Sequence, residues 1–540
     1  MSAENNEGVE VTRALDVQAE GSWSSLVELG LPLSLVNAAT NKGDKGQNWE
    51  SPVPVQNSLL KVTLPKGQTN GHSAGVLVHA LNGAGKTGAF LLASLSRITA
   101  SGKGPQVVII EPTNQLVLQV AEEAEKMVAP EHGGPAGIKV LAVQGKVKNK
   151  LSDDVIVGTA VQIKSAVSDG LLKCDNIVAF VVDECDEALV NSGPLLVEIR
   201  KKLPKPDAAG NGPLVLLVSA TLQSLAELTP AGTRNETKNS AAVGCAGQLL
   251  GGFFAVPPAN AQPSALSKDV PVHFFLPSDK KKMDSVGHFI LSMNENAAYS
   301  EKFQDTKAAY LAQLLIKLGS RKVLVFVENN KSVPEVMERV CAHYLKFTGG
   351  ANPLSAAAAY KQAAVAGTDQ RQLRAEETLK LRDRIKKLQK GEVKVLFCTG
   401  GLSRGIDILG LEVVINFDFP ERQGRADVAS FQHRIGRVGR GKKIGISVVM
   451  TNGMSQAAAL RSTLPQLGLG ESDFTRLDAG SGAEEALPAL CEKAAELIAV
   501  MEKELEKATR YGTKAIIPQG MIAAPTSTAS SSSSNVLYYR

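Results

Sequence analysis

Ala80-Leu81-Asn82-Gly83-Ala84-Gly85-Lys86-Thr87 lies between an apolar run at 76–79 and a helical run over 88–98. Strand, glycine loop and helix in that order form the setting in which backbone N–H groups wrap a phosphate at a helix N-terminus. The setting demands a buried strand that delivers the loop to the carboxyl edge of a sheet, so it constrains the fold as well as the chemistry. Lys86 then reaches the β- and γ-phosphates of a nucleotide and Thr87 holds Mg2+. The first motif position is Ala80 rather than Gly.

The pattern around this loop repeats. Strand-sized apolar runs at 76–80, 107–110, 139–143, 155–157, 178–182 and 214–218 alternate with helical stretches. A second series follows at 286–291, 323–327, 394–398, 412–417 and 444–450. Alternation of this kind predicts βα units on a mostly parallel sheet. At 540 residues the chain exceeds one ordinary core. We expect an α/β protein with two tandem domains, at 23–254 and 285–480, and a Pro-rich linker at 255–284. The acidic segment 1–22 and the tail 515–540, which is rich in Ser and Thr, read as flexible, and 481–514 as a C-terminal helix. Gly349 to Gln370 shows no strand pattern, and a helix rich in Arg and Lys follows over 372–390.

No apolar run reaches membrane-spanning length, and the acidic start resembles neither a secretory signal nor a transit peptide. The chain is therefore expected in the cytoplasm, the nucleus or both, and not secreted. Six cysteines without CxxC spacing predict reduced thiols rather than a zinc site. Charge is uneven: residues 1–270 carry 22 Lys and Arg against 26 Asp and Glu, and residues 271–540 carry 37 against 28. The basic half suits a polyanion partner, although a basic surface alone is commonly just solvated.

Three further stretches carry chemistry. The run Ile177–Val182 ends in Asp183-Glu184-Cys185-Asp186. There Asp183 suits Mg2+, and Glu184 suits a water attacking the γ-phosphate. Acids are also common at helix N-termini, so the phosphate loop upstream is what favours the catalytic reading. Ser219-Ala220-Thr221 follows the run 214–218 and offers small hydroxyls that could link the acids to a neighbouring element. Phe431-Gln432-His433-Arg434-Ile435-Gly436-Arg437-Val438-Gly439-Arg440 spaces three arginines by three, near one face of a helical turn, where guanidinium groups suit phosphate oxygens.

Taken in order with Pro112-Thr113-Asn114-Gln115-Leu116 and Thr399-Gly400-Gly401-Leu402-Ser403-Arg404-Gly405-Ile406-Asp407, these motifs resemble those of DEAD-box RNA helicases of superfamily 2. The resemblance spans roughly residues 23 to 478 and implies two RecA-like domains, with ATP in the cleft and single-stranded RNA across both. It implies a catalytic Glu184 with Arg437 and Arg440 as arginine fingers. Nucleotide contacts would come from Ala80, Gly83, Ala84, Gly85, Lys86, Thr87 and, on the ribose, Asp407. Thr87 and Asp183 would hold Mg2+. Asp186, Ser219, Thr221, His433 and Arg434 would couple the domains, with His433 and Arg434 tied to the acids of the first. Pro112, Thr113, Thr159, Thr399, Gly400 and Arg404 would meet RNA. Asn48-Trp49-Glu50-Ser51-Pro52-Val53-Pro54-Val55-Gln56 is similar to the family's adenine-reading segment, with Gln56 on the base edge and Trp49 near the ring. Trp23 resembles its more distant aromatic.

The family's usual Arg after Pro-Thr is Asn114 here, and its Thr-Pro-Gly-Arg element appears as Thr159-Ala160-Val161-Gln162. Two cationic contacts to the RNA backbone are thereby missing, which weakens the expected grip of the first domain. Gly67–Gly75 and Glu421–Ala429 resemble the mRNA-export helicases of the nuclear pore. The expected protein is a monomeric ATP-dependent RNA helicase that binds single-stranded RNA or short duplexes and remodels RNA duplexes or ribonucleoproteins on ATP hydrolysis, in mRNA export, with a protein activator as a partner and no membrane insertion. The alternatives are a nucleotide-gated clamp or scaffold with little turnover, and a DNA-directed motor.

Overall fold

A computed structural model describes residues 21–43, 47–64, 75–80, 83–99, 104–205, 212–220, 234–250, 272–275, 286–293, 301–329, 332–350, 353–359, 370–400, 408, 410–422, 425–438, 445–452 and 474–478, with 456, 460, 499–500, 503 and 521–523. The chain divides into two compact units, one holding residues 1–279 and 369–378, the other 280–368 and 379–540.

In the first unit seven strands form one sheet. They are β1 (Gly75–His79), β2 (Val107–Ile110), β3 (Val140–Ala142), β4 (Val155–Gly158), β5 (Ala179–Val182), β6 (Leu214–Ser219) and β7 (Val272–Phe275), in the order β3-β4-β2-β5-β6-β1-β7. Every pairing is parallel. The runs in β1, β2, β4, β5 and β6 are buried at every position, as expected for strands covered by helices on both faces. Short helices α1 (Trp23–Glu28), α2 (Leu33–Thr40) and α3 (Pro54–Thr63) precede the sheet. Helices α4 (Lys86–Leu95), α5 (Asn114–Val128), α6 (Ala160–Ser168) and α7 (Cys185–Arg200) then follow β1, β2, β4 and β5. Each therefore begins at the carboxyl edge of the sheet.

Among the described residues of the second unit, eight strands form one sheet: β8 (Val286–Met293), β9 (Val323–Val327), β10 (Ala356–Ala359), β11 (Val395–Thr399), β12 (Val413–Asn416), β15 (Gly445–Asn452), β16 (Phe474–Asp478) and β17 (Met521–Ala523), in the order β10-β11-β9-β12-β15-β8-β16-β17. A two-stranded antiparallel pair, β13 (Glu421–Arg422) and β14 (Arg425–Ala426), projects between β12 and the helix Val428–Ile435. Lys307, fully buried on the helix Glu301–Leu318, is held by Asp418 Oδ1 at 2.9 Å and lies 4.3 Å from the Phe417 ring centre. The other oxygen of Asp418 accepts from Glu328 N, so this carboxylate pins the ends of β9 and β12 to the helix.

Three expectations about secondary structure need correction. The stretch Gly349 to Gln370 does contain a strand, β10, paired in parallel with β11 along the sheet edge. Its sequence is Ala-Ala-Ala-Ala, which offers neither β-branched side chains nor alternation, so pairing with β11 rather than local propensity makes it a strand. Within the span read as linker, Val272–Phe275 forms β7 beside β1; within the tail read as flexible, Met521–Ala523 forms β17 beside β16. Of the expected C-terminal helix, only 499–500 and 503 fall among the described residues, and these are helical.

Candidate functional site

The phosphate loop closes β1 and opens α4. Gly83 and Gly85 adopt φ of 70° and 94°, left-handed values that disfavour other residues. No side chain caps α4, whose N-cap is Gly85, so the donors of its first turn are left for a ligand. By contrast Thr113 Oγ1 accepts from Leu116 N at the start of α5, and Thr159 with Gln162 forms a reciprocal capping box on α6. Lys86 is buried, with Nζ donating to Ala80 O at 2.9 Å inside the loop.

Strand register brings the acids alongside. Val182 pairs with Leu217, and His79 with Ser219, so β6 lies between the loop strand and the acid strand. Asp183, Glu184 and Asp186 are all buried. Glu184 holds φ at 44°, a strained value for a residue with a side chain, and its N–H donates to Asp183 Oδ1 at 2.9 Å. Burial, with Glu184 beside it, raises the Asp183 pKa above the usual carboxylate range, against the pull of Lys86. Ser219 Oγ donates to Asp186 Oδ1 at 2.8 Å. His79 Nε2 donates to Ala220 O at 3.1 Å, and burial lowers its pKa to about 4.

A residue with no signal in the sequence completes this wall. Glu111, one position past β2, is fully buried, and both its carboxylate oxygens lack a hydrogen-bond partner. Burial first, then Asp183 and Glu184, hold its pKa well above the carboxylate range. Orphaned carboxylate oxygens beside Asp183 suit a divalent ion carried by a nucleotide, so the residues present fit Mg2+.

The tryptophan segment packs on α4. Trp49 receives the Trp23 indole N–H on its carbonyl at 3.3 Å, while its own backbone N–H donates to Ala39 O. Gln56 is buried, and its Oε1 accepts from Val53 N at 3.0 Å. A Cβ added at Gly88 would stand 2.4 Å from Trp49 Cη2 and 2.7 Å from Gln56 Nε2. Gly88 is thus the position that lets Trp49 and Gln56 close on the loop helix, a role invisible without the fold.

Pro112 and Thr113 lead into α5 and Thr159 into α6, on neighbouring strands. Asn114 and Gln162 are joined there by a hydrogen bond from Gln162 Nε2 to Asn114 Oδ1 of 3.1 Å.

In the second unit Thr399 ends β11 and Gly400 follows. Arg434 donates from Nη1 to Asn416 Oδ1 and Asp418 O, and its guanidinium lies 5.1 Å from the Phe326 ring centre. Those partners all belong to its own unit. The helix stops at Ile435, so Arg437 does not continue one arginine face. It is 2% exposed, with Nε donating to His433 O at 3.1 Å, and His433 is itself buried. Arg440, Asp407, Thr221 and Arg404 lie outside the described residues.

A parallel sheet with an uncapped glycine loop after one strand and buried acids two strands away defines a nucleotide-binding α/β protein of the phosphate-loop class. The DEAD/DEAH box helicase family model matches residues 53–228, and that of the helicase conserved C-terminal domain matches 306–442. The chain belongs to the DEAD-box helicases, built as two tandem RecA-like domains. It is 27% identical over 459 residues to the ATP-dependent RNA helicase DBP5 of Lodderomyces elongisporus, covering 82% of this chain and 72% of the relative. The structure of S. cerevisiae Dbp5 bound to RNA and ADP BeF3 superposes with a TM-score of 0.60 at 20% identity, covering 87% of this chain and 99% of that one. Mss116p bound to ssRNA and AMP-PNP gives 0.61 at 16% identity, covering 93% and 89%.

Proposed function

We propose that this chain is an ATP-dependent RNA helicase that couples ATP hydrolysis to the binding and remodelling of RNA. The uncapped first turn of α4 beside Lys86, with Asp183 and Glu184 two strands away, carries this reading. In it, the N–H groups of α4 and Lys86 bind the phosphates, while Gln56 and Trp49 select adenine. Thr87 and Asp183 hold Mg2+, which neutralises phosphate charge when bound. Glu184 orients the attacking water and draws off its proton. Asp186, positioned by Ser219, links the acids to the end of β6. Arg437 and Arg440 are assigned to the charge that develops on the γ-phosphate, and Asp407 to the ribose. Thr113, Thr159, Thr399, Gly400 and Arg404 are assigned to RNA. The proposed domain limits are 23–254 and 285–480, with β7 (Val272–Phe275) added to the first sheet and β17 (Met521–Ala523) to the second.

Relatives support RNA as the partner: Dbp5 and Mss116p have each been solved with RNA or ssRNA bound. A point variant of S. cerevisiae Dbp5 has also been solved bound to a point variant of Gle1 and IP6, which supports a protein partner here. Action in mRNA export, in nucleus and cytoplasm, extends the same reading. Phosphate release with and without single-stranded RNA, for wild type, Lys86→Ala and Glu184→Gln, tests it. RNA-stimulated release lost in both variants supports the assignment, and release unchanged in both refutes it.

A second reading has its own observation. The neutral Asn114–Gln162 pair stands where two cations would hold RNA, which favours a nucleotide-gated clamp with little turnover. Strand separation at substantial ATP turnover would exclude it.

A further inference from the structure

We propose that Glu111 is a further carboxylate of the nucleotide–metal site, sharing with Asp183, through the ion's water shell, the divalent cation that accompanies the nucleotide. The inference rests on the nucleotide-site reading above. Ile110 pairs with Val182 across β2 and β5, and Asp183 N donates to Ile110 O at 3.0 Å, so the next residue, Glu111, stands abreast of Asp183. Its own N–H is fixed on the other side by Gly158 O at 3.0 Å. The side chain is 0% exposed, and neither Oε1 nor Oε2 has a hydrogen-bond partner. Both Asp183 and Glu184 act on it by like-charge repulsion.

A buried carboxyl without a donor is destabilising, and any small apolar residue would end β2 at lower cost. The strand therefore carries a group that the empty fold does not need. What such a group lacks is positive charge or donors, and a hydrated divalent ion supplies both. Among the described residues no three His, Cys, Asp or Glu side chains are placed to cage an ion by themselves. Contact through water is what remains, and it matches the habit of Mg2+, which keeps several waters and takes few direct carboxylates.

The test uses the full chain and its Glu111→Gln and Glu111→Ala variants. Affinity for a non-hydrolysable ATP analogue is measured in EDTA and across a Mn2+ titration, with bound Mn2+ followed by electron paramagnetic resonance. In both variants the half-saturating Mn2+ concentration should rise about tenfold, the loss typical of outer-shell partners. The Mn2+-dependent gain in analogue affinity should shrink in step. In Glu111→Gln the metal-free protein should also unfold at a higher temperature than wild type, which shows that the variant is folded. Variants whose Mn2+ dependence matches wild type would overturn the proposal and leave Glu111 a structural acid. A wild type that binds no analogue with Mn2+ present would overturn the nucleotide reading as well.

Discussion

Gln162 Nε2 donates to Asn114 Oδ1 at 3.1 Å, joining the N-terminal turns of α6 and α5. Both helices are capped by their own threonines, and Gln162 Oε1 is engaged by Thr159 N and Oγ1. Neither amide carries a charge, so the pair offers a phosphate at most neutral hydrogen bonds, weaker than those of a guanidinium. Val161, 62% exposed beside them, adds apolar surface rather than charge. Replacing the pair by Asn114→Arg/Gln162→Arg should tighten single-stranded RNA binding. Log affinity should fall more steeply with log salt by about 1.4, at roughly 0.7 per added phosphate contact. Fluorescence anisotropy between 50 mM and 200 mM salt, ranges typical of such measurements, reads both. An unchanged slope would mean that RNA does not pass over this face.

The sequence carried the loop, the acids and most strands, because each is written locally: glycines before Lys86, or continuous apolar runs such as Val107–Ile110. It missed β10, whose four alanines become a strand only through β11. It missed Glu111, since one acid before Pro112 means nothing until β2 and β5 are placed side by side. It misjudged the shared arginine face at Arg437, because spacing three implies one face only while the helix lasts, and this one ends at Ile435. Its departures at 114 and 162 were legible as two separate losses; that the two residues bond to each other was not.

Ser219→Ala removes a hydroxyl that donates to buried Asp186 at 2.8 Å. Leaving a buried carboxylate short of a donor should destabilise the first unit by about 1–3 kcal/mol. Ser219→Thr, which keeps the hydroxyl, should recover part of that loss. Urea unfolding of the three proteins checks it. Equal midpoints for wild type and Ser219→Ala would show that Asp186 is held by other groups.

His79 gives the first unit a particular response to acid. Burial, against its bond to Ala220 O, lowers its pKa from 6.5 to about 4. The folded state therefore resists a proton that the unfolded chain accepts. Its contribution is complete above pH 6.5 and is lost as pH falls toward about 4. The difference in stability between wild type and His79→Gln should shift against wild type over that interval, by on the order of 3 kcal/mol. Melting temperatures of both proteins at half-unit steps of pH would reveal it, and parallel curves would assign the acid response to other groups.

Gly88 sets how closely the tryptophan segment meets the loop helix. An added Cβ would lie 2.4 Å from Trp49 Cη2, too near for any contact, and 2.7 Å from Gln56 Nε2. Gly88 lies within the helix, where alanine is otherwise the better helix former, so local propensity alone predicts that Gly88→Ala stabilises. The packing predicts the reverse, a loss of about 1–3 kcal/mol from overpacking. Adenine preference, read as the ratio of ATP to GTP analogue affinities, should fall with it as Gln56 is displaced. Adding Trp49→Leu to Gly88→Ala removes the clashing ring edge. The double variant should then be more stable than the sum of the two single losses predicts, because the residues share one contact. Strictly additive losses would mean that the segment yields elsewhere and that Gly88 does not set its position.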